Sequence, residues 1–210
     1  MFSAKALLNQ GFLDASKWFE SVERIWDIHK TERNANITAY DYINWQNKLL
    51  SQDLNKPYLV LYNASAKDAN ATVVCREDID LEFIVESVCY CFYANNKSEA
   101  YYLTAILNSS IPNKKIKDFQ AKGLFGARHV HKKILDIYYP TFKENNVLHS
   151  DLAALSETAH QKAKIYFQEN PTPSSPSTYE LGRIRIEIKD YLSEELSEID
   201  KLVKRLLKSK

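Results

Sequence analysis

The chemistry written into this chain is concentrated in one basic stretch. Lys114, Lys115, Lys117, Lys122, Arg128, Lys132 and Lys133 fall close together against a single acid, Asp118. Clustered cations of this kind neutralise phosphates, and phosphate contacts supply much of the affinity of a nucleic-acid-binding protein. The plainer reading of the same residues is a solvated basic face. Within the stretch, Gly123 and Gly126 either let the backbone approach a sugar-phosphate closely or shape a turn. His129 and His131 alternate beside the last lysines and suit hydrogen bonding or phosphate contact. Joined by His149 they would begin a metal set, but no further ligand stands at metal spacing.

Three other groups have side chains that do chemistry elsewhere. Cys89 and Cys91 are two apart on an expected strand, so they share a face, where they either pack as small hydrophobes or hold a metal. Glu77, Asp78, Asp80 and Glu82 are either ordinary acidic loop residues or the carboxylates of a metal-dependent nuclease. Asn44, Gln46 and Asn47 carry amides, which read adenine in a groove or satisfy hydrogen bonds within the fold. There is no Walker loop, no G-x-S-x-G elbow, no H-E-x-x-H helix and no Pro-Pro pair. No residue is assigned a catalytic or metal-binding role.

The elements that must position these residues follow from periodicity. Ala4–Gln10 reads as a short helix closed by Gly11. Asp14 or Ser16 caps a second helix, whose Trp18, Phe19, Val22, Ile25 and Trp26 recur at helical spacing as a face for packing on a core. Thr38 caps a third helix. Tyr58–Tyr62 and Ala71–Arg76, joined by a polar connection, read as a hairpin, and Phe83–Tyr93 as a third strand. Ser98 is expected to cap an apolar helix running to Asn108. Pro112 then leads into the lysine-rich segment, and Val130, Ile134, Ile137 and Tyr139 alternate as a further strand. A helix spans about His149 to Phe167, with Leu152, Leu155, Ala159 and Ala163 on its buried stripe. Pro171–Ser177 reads as a proline-serine linker, and Thr178–Lys210 as one long helix whose basic last turns complement its dipole. The apolar seam of that helix is to be covered by the chain's own domain or by a second copy.

Composition bounds the rest. With 45% hydrophobic and 26% charged residues and a net charge of +1, the chain is no polycation, so a nucleic-acid surface must be local. Thirteen Tyr support a sizeable core. Three Cys without C-x-x-C spacing, and no signal peptide or membrane-spanning run, point to a reducing cytoplasm and no membrane association. The expected architecture is α+β: a small mixed or antiparallel sheet covered by helices, with residues 1–170 as one domain, 171–177 as linker and 178–210 as a long C-terminal helix.

Several segments carry a resemblance: LTAILNS at Leu103–Ser109, FQAKGLFGARHVHKK at Phe119–Lys133, YPTF at Tyr139–Phe142 and LHSDLA at Leu148–Ala153. Upstream they are joined by YINWQNKLLSQ at Tyr42–Gln52 and LYNAS at Leu61–Ser65. Together these segments resemble the C-terminal target-recognition region of prokaryotic adenine-N6 DNA methyltransferases of the restriction-modification type. The chain departs from that family in carrying Ala66 where a glycine usually follows the serine. The resemblance implies a DNA-binding, non-catalytic part of a methyltransferase. Lys114, Lys117, Lys122, Arg128, Lys132 and Lys133 would hold phosphates of double-stranded DNA, with Gly123, His129 and His131 beside them. Loops around Asn63–Ser65 and Phe125–His131 would reach base edges. The S-adenosylmethionine site and the motif that takes a flipped adenine are not in this sequence, so the cofactor and catalysis are expected in an upstream domain or a separate chain. Two other classes stay open: an assembly module of a restriction-modification complex, and a metal-dependent nuclease.

Overall fold

The computed structural model describes residues 3–65, 67–86, 88–120, 122–123, 126–127, 130 and 134–208; at 122–123 and 126–127 this holds for the backbone. The chain forms two compact units, divided between Gln52 and Asp53. The C-terminal helices fall in the second of these units.

The first unit is helical. α1 (Ala4–Asn9) is capped by the Ser3 hydroxyl, which accepts from the Ala6 N–H at 3.1 Å. It stops at Gln10, where Gly11 takes the left-handed φ of +86° that glycine adopts without strain. α2 spans Leu13–His29, and no side chain caps its start; Asp14, expected as a cap, lies in its first turn. α1 folds back on α2: the Ser16 hydroxyl donates to the Ala4 carbonyl at 2.8 Å, and Glu23 accepts from the Ala4 N–H at 3.1 Å. α3 (Ala39–Ile43) begins with a capping box between Thr38 and Asp41. The Trp26 indole donates to the Ile37 carbonyl and its ring lies against Tyr42. Tyr40 donates to Glu23, and burial together with that carboxylate pushes the phenol up to about 12. The apolar face expected of α2 is not buried: Trp18 is 57% exposed, and Phe19, Val22 and Trp26 are only half-buried.

The second unit is built on three antiparallel strands in the order β2-β1-β3: β1 (Tyr58–Asn63), β2 (Ala71–Cys75) and β3 (Cys89–Ala94). Val60 at the centre faces Val73 on one side and Phe92 on the other. The strand expected from Phe83 starts only at Cys89, because β1 is six residues long and is already paired along its whole length by Cys89–Ala94. α4 (Lys97–Asn108) lies between the sheet and the remaining helices. Its cap is Asn96, whose side chain accepts from the Ser98 and Glu99 N–H groups, rather than Ser98. Ala100, Leu103 and Leu107 pack with Val60, Tyr62 and Ala94, while Tyr102, Ala105 and Ile106 pack with Leu152, Ile199 and Val203. A helix buried on nearly all sides is what its nearly all-round apolar sequence requires.

α5 (Ser110–Lys115) follows at once, then a one-turn 3-10 helix, Lys117–Phe119, and a two-stranded ribbon of β4 (Lys122–Gly123) with β5 (Gly126–Ala127). The alternation of Val130, Ile134, Ile137 and Tyr139 gives no strand among the described residues. Val130 and Ile134 are buried in the sheet-side core, but the chain from Leu135 to Lys143 runs without regular structure. α6 spans Val147–Glu169. The single long C-terminal helix expected is two, α7 (Thr178–Tyr191) and α8 (Ser193–Leu206), broken at Leu192. α8 buries Ile199, Leu202, Val203 and Leu206 beside α4 and α6, whereas α7 buries no residue. Among the described residues, no helix is long and apolar enough to cross a membrane.

Candidate nucleic-acid interface

The basic stretch begins on α5, and three sets of hydrogen bonds fix where α5 points. Asp200 of α8 accepts from the Ser110 N–H (2.7 Å), the Ser109 hydroxyl (2.7 Å) and the Ser110 hydroxyl (2.6 Å), so α8 holds the start of α5. Buried Asn113 donates to the Leu107 and Ser109 carbonyls, both at 2.9 Å, and accepts from the Ala69 N–H at 2.7 Å. That last bond ties α5 to the loop after β1. The loop is closed by its own amides: Asn63 accepts from the Asn70 N–H at 2.7 Å and donates to the Asp68 carbonyl at 3.1 Å. Asn108 pairs both backbone groups of Ala71, at 2.7 and 2.9 Å, which covers the outer edge of β2 as a strand would.

Downstream the same loop is gripped again. Gln120, buried, donates to the Lys67 carbonyl at 3.1 Å, and the Val130 N–H donates to the Ala64 carbonyl at 3.1 Å. Val130, from the second of the two stretches expected to reach base edges, thus meets Ala64 of the first; Phe125 lies outside the described residues. The Asn63 amide is spent inside its own loop and does not project as a reading group.

The cations fall into three groups. Lys114 and Lys115 stand exposed on the last turn of α5, and no ion pair engages either among the described residues. Lys117 is different. It pairs with Asp68 at 2.6 Å and also donates to the Lys67 carbonyl, so its charge is committed to holding the loop against the 3-10 turn. Lys122 and Gly123 contribute backbone pairing to the ribbon, opposite Ala127 and Gly126. Arg128, His129, His131, Lys132 and Lys133 lie outside the described residues. Four further cations also belong to this corner or its neighbour. Lys67 is exposed on the loop that Lys117 and Gln120 grip; it stood alone in a polar connection and gave no cluster signal. Leu207, the residue after α8, lines one groove together with Lys115 and Ile116 of the α5 end, and the helix end next to it carries Lys204, Arg205 and Lys208. Those residues read from sequence as dipole complements.

The other candidate groups serve the fold. His149 is buried, stacked on Tyr102 with ring centroids 4.8 Å apart, and accepts from the Lys143 N–H at 3.0 Å; burial pushes its pKa down. Its ring nitrogen Nδ1 is thus occupied, which removes it from a metal set with His129 and His131. His160 Nδ1 bonds the Ser156 carbonyl at 2.7 Å and Nε2 accepts from the Val73 N–H at 3.3 Å, an arrangement for the neutral imidazole, and burial lowers its pKa as well. Cys89 and Cys91 share a face of β3, opposite Asn63 and Leu61, and burial pushes the Cys91 thiol up to about 11. A thiol so protonated packs and does not react. The acidic run lies in and after the 3-10 turn Arg76–Asp78, where Glu77 accepts from the Cys75 thiol. Among the described residues, no three His, Cys, Asp or Glu side chains gather at a spacing that would hold a metal. In the first unit, Asn44 accepts from the Leu49 and Leu50 N–H groups and donates to Asn47, inside a turn where Gln46 and Asn47 have left-handed φ of 56° and 60°.

No protein-family model matches this chain, and no curated protein matches it.

Proposed function

We propose that residues 53–208 form a DNA-binding target-recognition module serving an adenine-specific methyltransferase whose catalytic and S-adenosylmethionine-binding parts lie in another domain or chain. The observation that carries the reading is the joining of the 63–70 loop, α5 and Val130 by backbone-directed amides, with Lys67, Lys114 and Lys115 exposed around the joint. Duplex recognition asks for cations at fixed spacing, because a rigid cation loses less entropy when it meets a phosphate. The methyltransferase part of the reading rests on the sequence resemblance alone. The test is fluorescence anisotropy with a labelled 20-base-pair duplex at about 50 mM salt. Wild type is expected to bind in the micromolar range or tighter, as sequence-independent DNA contacts do. The Lys67→Glu/Lys114→Glu/Lys115→Glu variant is expected to lose binding by tenfold or more. Equal binding by the two proteins rejects the patch.

One observation favours a second reading, assembly. α7 buries nothing, and Tyr179 (80% exposed), Leu181 and Ile186 project from it. Exposed apolar residues concentrated on one helix mark a contact for another protein. Sedimentation equilibrium of wild type against Tyr179→Glu/Ile186→Glu tests it: a dimer that the variant dissolves supports assembly through α7, and a monomer in both rejects self-assembly.

A further inference from the structure

The two outer edges of the three-stranded sheet are finished differently. The Ala64 N–H donates to the Val88 carbonyl at 2.9 Å, one step beyond the Asn63–Cys89 pair of the β1–β3 ladder. Hydrogen-bonded pairs alternate along an antiparallel ladder, so Tyr90, Phe92 and Ala94 turn their backbone groups toward β1, and Cys89, Cys91 and Tyr93 turn theirs outward. The Arg76 N–H, donated to the Pro57 carbonyl at 3.0 Å, sets the phase of β2 in the same way: Ala71, Val73 and Cys75 face outward. On that edge Asn108 takes both groups of Ala71, and His160 takes the Val73 N–H. On the β3 edge the Cys89 N–H goes to the Glu86 carbonyl at 3.2 Å. Among the described residues, no hydrogen bond reaches the outward N–H and C=O of Cys91 or of Tyr93. We infer that β3 pairs along this edge with β3 of a second copy of the chain, antiparallel about a two-fold axis at Phe92, to give one continuous six-stranded sheet.

The edge itself selects a copy of this chain. Its outward groups are self-complementary. Rotation about Phe92 sets the Cys91 N–H on the Tyr93 carbonyl of the copy and the Tyr93 N–H of the copy on the Cys91 carbonyl, and the same two bonds recur on the other side of the axis. An axis at Cys91 would instead need the Cys89 N–H, which the Glu86 carbonyl already holds. Charge does not oppose the pairing: Val88–Asn96 carries no charged side chain. It also has no Pro or Gly, so the usual devices that blunt an exposed edge are missing from it. At the axis Phe92 meets Phe92 of the copy in a non-hydrogen-bonded pair, the geometry in which facing side chains come closest, and aromatic pairs are favourable there. Phe92 is half-buried against the sheet-side core, so this contact covers what the core leaves open. A foreign strand satisfies the same backbone groups only by bringing an uncharged run with an aromatic opposite Phe92, and β3 already has both. The pairing uses none of the lysines of the nucleic-acid corner and does not depend on that reading.

The test is sedimentation equilibrium of the full chain between about 10 and 500 μM, the span in which a small interface becomes populated. Wild type is expected to pass from monomer to dimer. Cys91→Pro removes one outward N–H and no bond to β1, at a position where an edge strand accepts proline. It is expected to keep the wild-type far-UV spectrum and to stay monomeric. Tyr179→Glu/Ile186→Glu, on α7, is expected to dimerise as wild type does. Amide exchange of wild type at the two ends of the range reads the edge directly, whether or not the proline variant folds. The Cys91 and Tyr93 amides are expected to slow by about tenfold at the higher concentration, while the Phe92 amide, bonded to β1, exchanges slowly at both. A wild-type monomer throughout overturns the inference, as does a dimer that folded Cys91→Pro retains or that the α7 variant dissolves. Cys91 and Tyr93 amides that exchange at one rate at both concentrations overturn it too: if fast, the edge is left for a foreign strand, and if slow, the chain covers the edge itself.

Discussion

Replacing Asp200 with alanine should loosen the second unit without touching any exposed cation. The carboxylate accepts from three donors at the α4–α5 junction: the Ser110 N–H and the hydroxyls of Ser109 and Ser110. Hydrogen bonds to a charged acceptor contribute roughly 1.5–3 kcal/mol each, but the contributions are not additive. The Ser110 hydroxyl is half-buried and can turn to water, whereas the backbone N–H at the start of α5 and the buried Ser109 hydroxyl lose their partner outright. A loss of about 2–4 kcal/mol follows. With a urea m-value near 2 kcal/mol/M, the midpoint falls by roughly 1–2 M. The readout is near-UV tyrosine ellipticity, because every Tyr except Tyr40 and Tyr42 lies in the second unit. Asp200→Asn keeps one acceptor oxygen and should recover about half of the loss. A midpoint within about 0.2 M of wild type for Asp200→Ala would show that α8 is not what anchors α5, and the reasoning about how the lysines are held would fail.

Three further outcomes follow from the same contacts. His149 and His160 are both held neutral by burial, so their folded pKa values lie below the unfolded value near 6.5. Below that pH the unfolded chain binds protons that the folded chain refuses; stability is therefore full above about pH 6.5 and declines as pH falls toward the folded values. A urea midpoint that does not change between pH 7.5 and 5.5 would contradict this, and His160→Gln should flatten the decline. Lys117→Met should lower stability by up to about 1 kcal/mol, the range for a partly exposed ion pair, and Lys114→Met should leave stability unchanged while weakening duplex binding. Asn108→Ala strips both partners from Ala71 at the outer edge of β2 and should cost about 1–3 kcal/mol by urea unfolding.

Much of the second unit was legible because its signals are local. Pro57, the alternation through Tyr62 and the Asn-rich connection define β1, its turn and β2, and apolar residues nearly all round Lys97–Asn108 define a buried helix. The misreadings come from side-chain hydrogen bonds and packing that periodicity does not show. The Phe83 carbonyl is taken by the Arg76 guanidinium at 2.7 Å, which competes with strand pairing where side-chain alternation alone suggested a strand. The break at Leu192 follows a start signal, Ser193 with Glu194 and Glu195, that reads as helix interior while the apolar periodicity continues through it. Turning there lets α8 reach the core, so packing overrides local preference. In the candidate site, the crowding of lysines was plain from spacing. Which lysine is spent was not, since Asp68 lies 49 residues from Lys117. Lys67 and the basic end of α8 arrive beside α5 only through the folded chain.

The most direct measurement of the central claim is the salt dependence of duplex binding. Each phosphate neutralised adds about 0.9 to the steepness of log K against log salt concentration. Wild type should give a steep negative slope, and Lys67→Met/Lys114→Met/Lys115→Met should reduce its magnitude by about 2 to 3. The same slope in both proteins, or no measurable binding by wild type at low salt, would contradict the claim that this corner grips DNA.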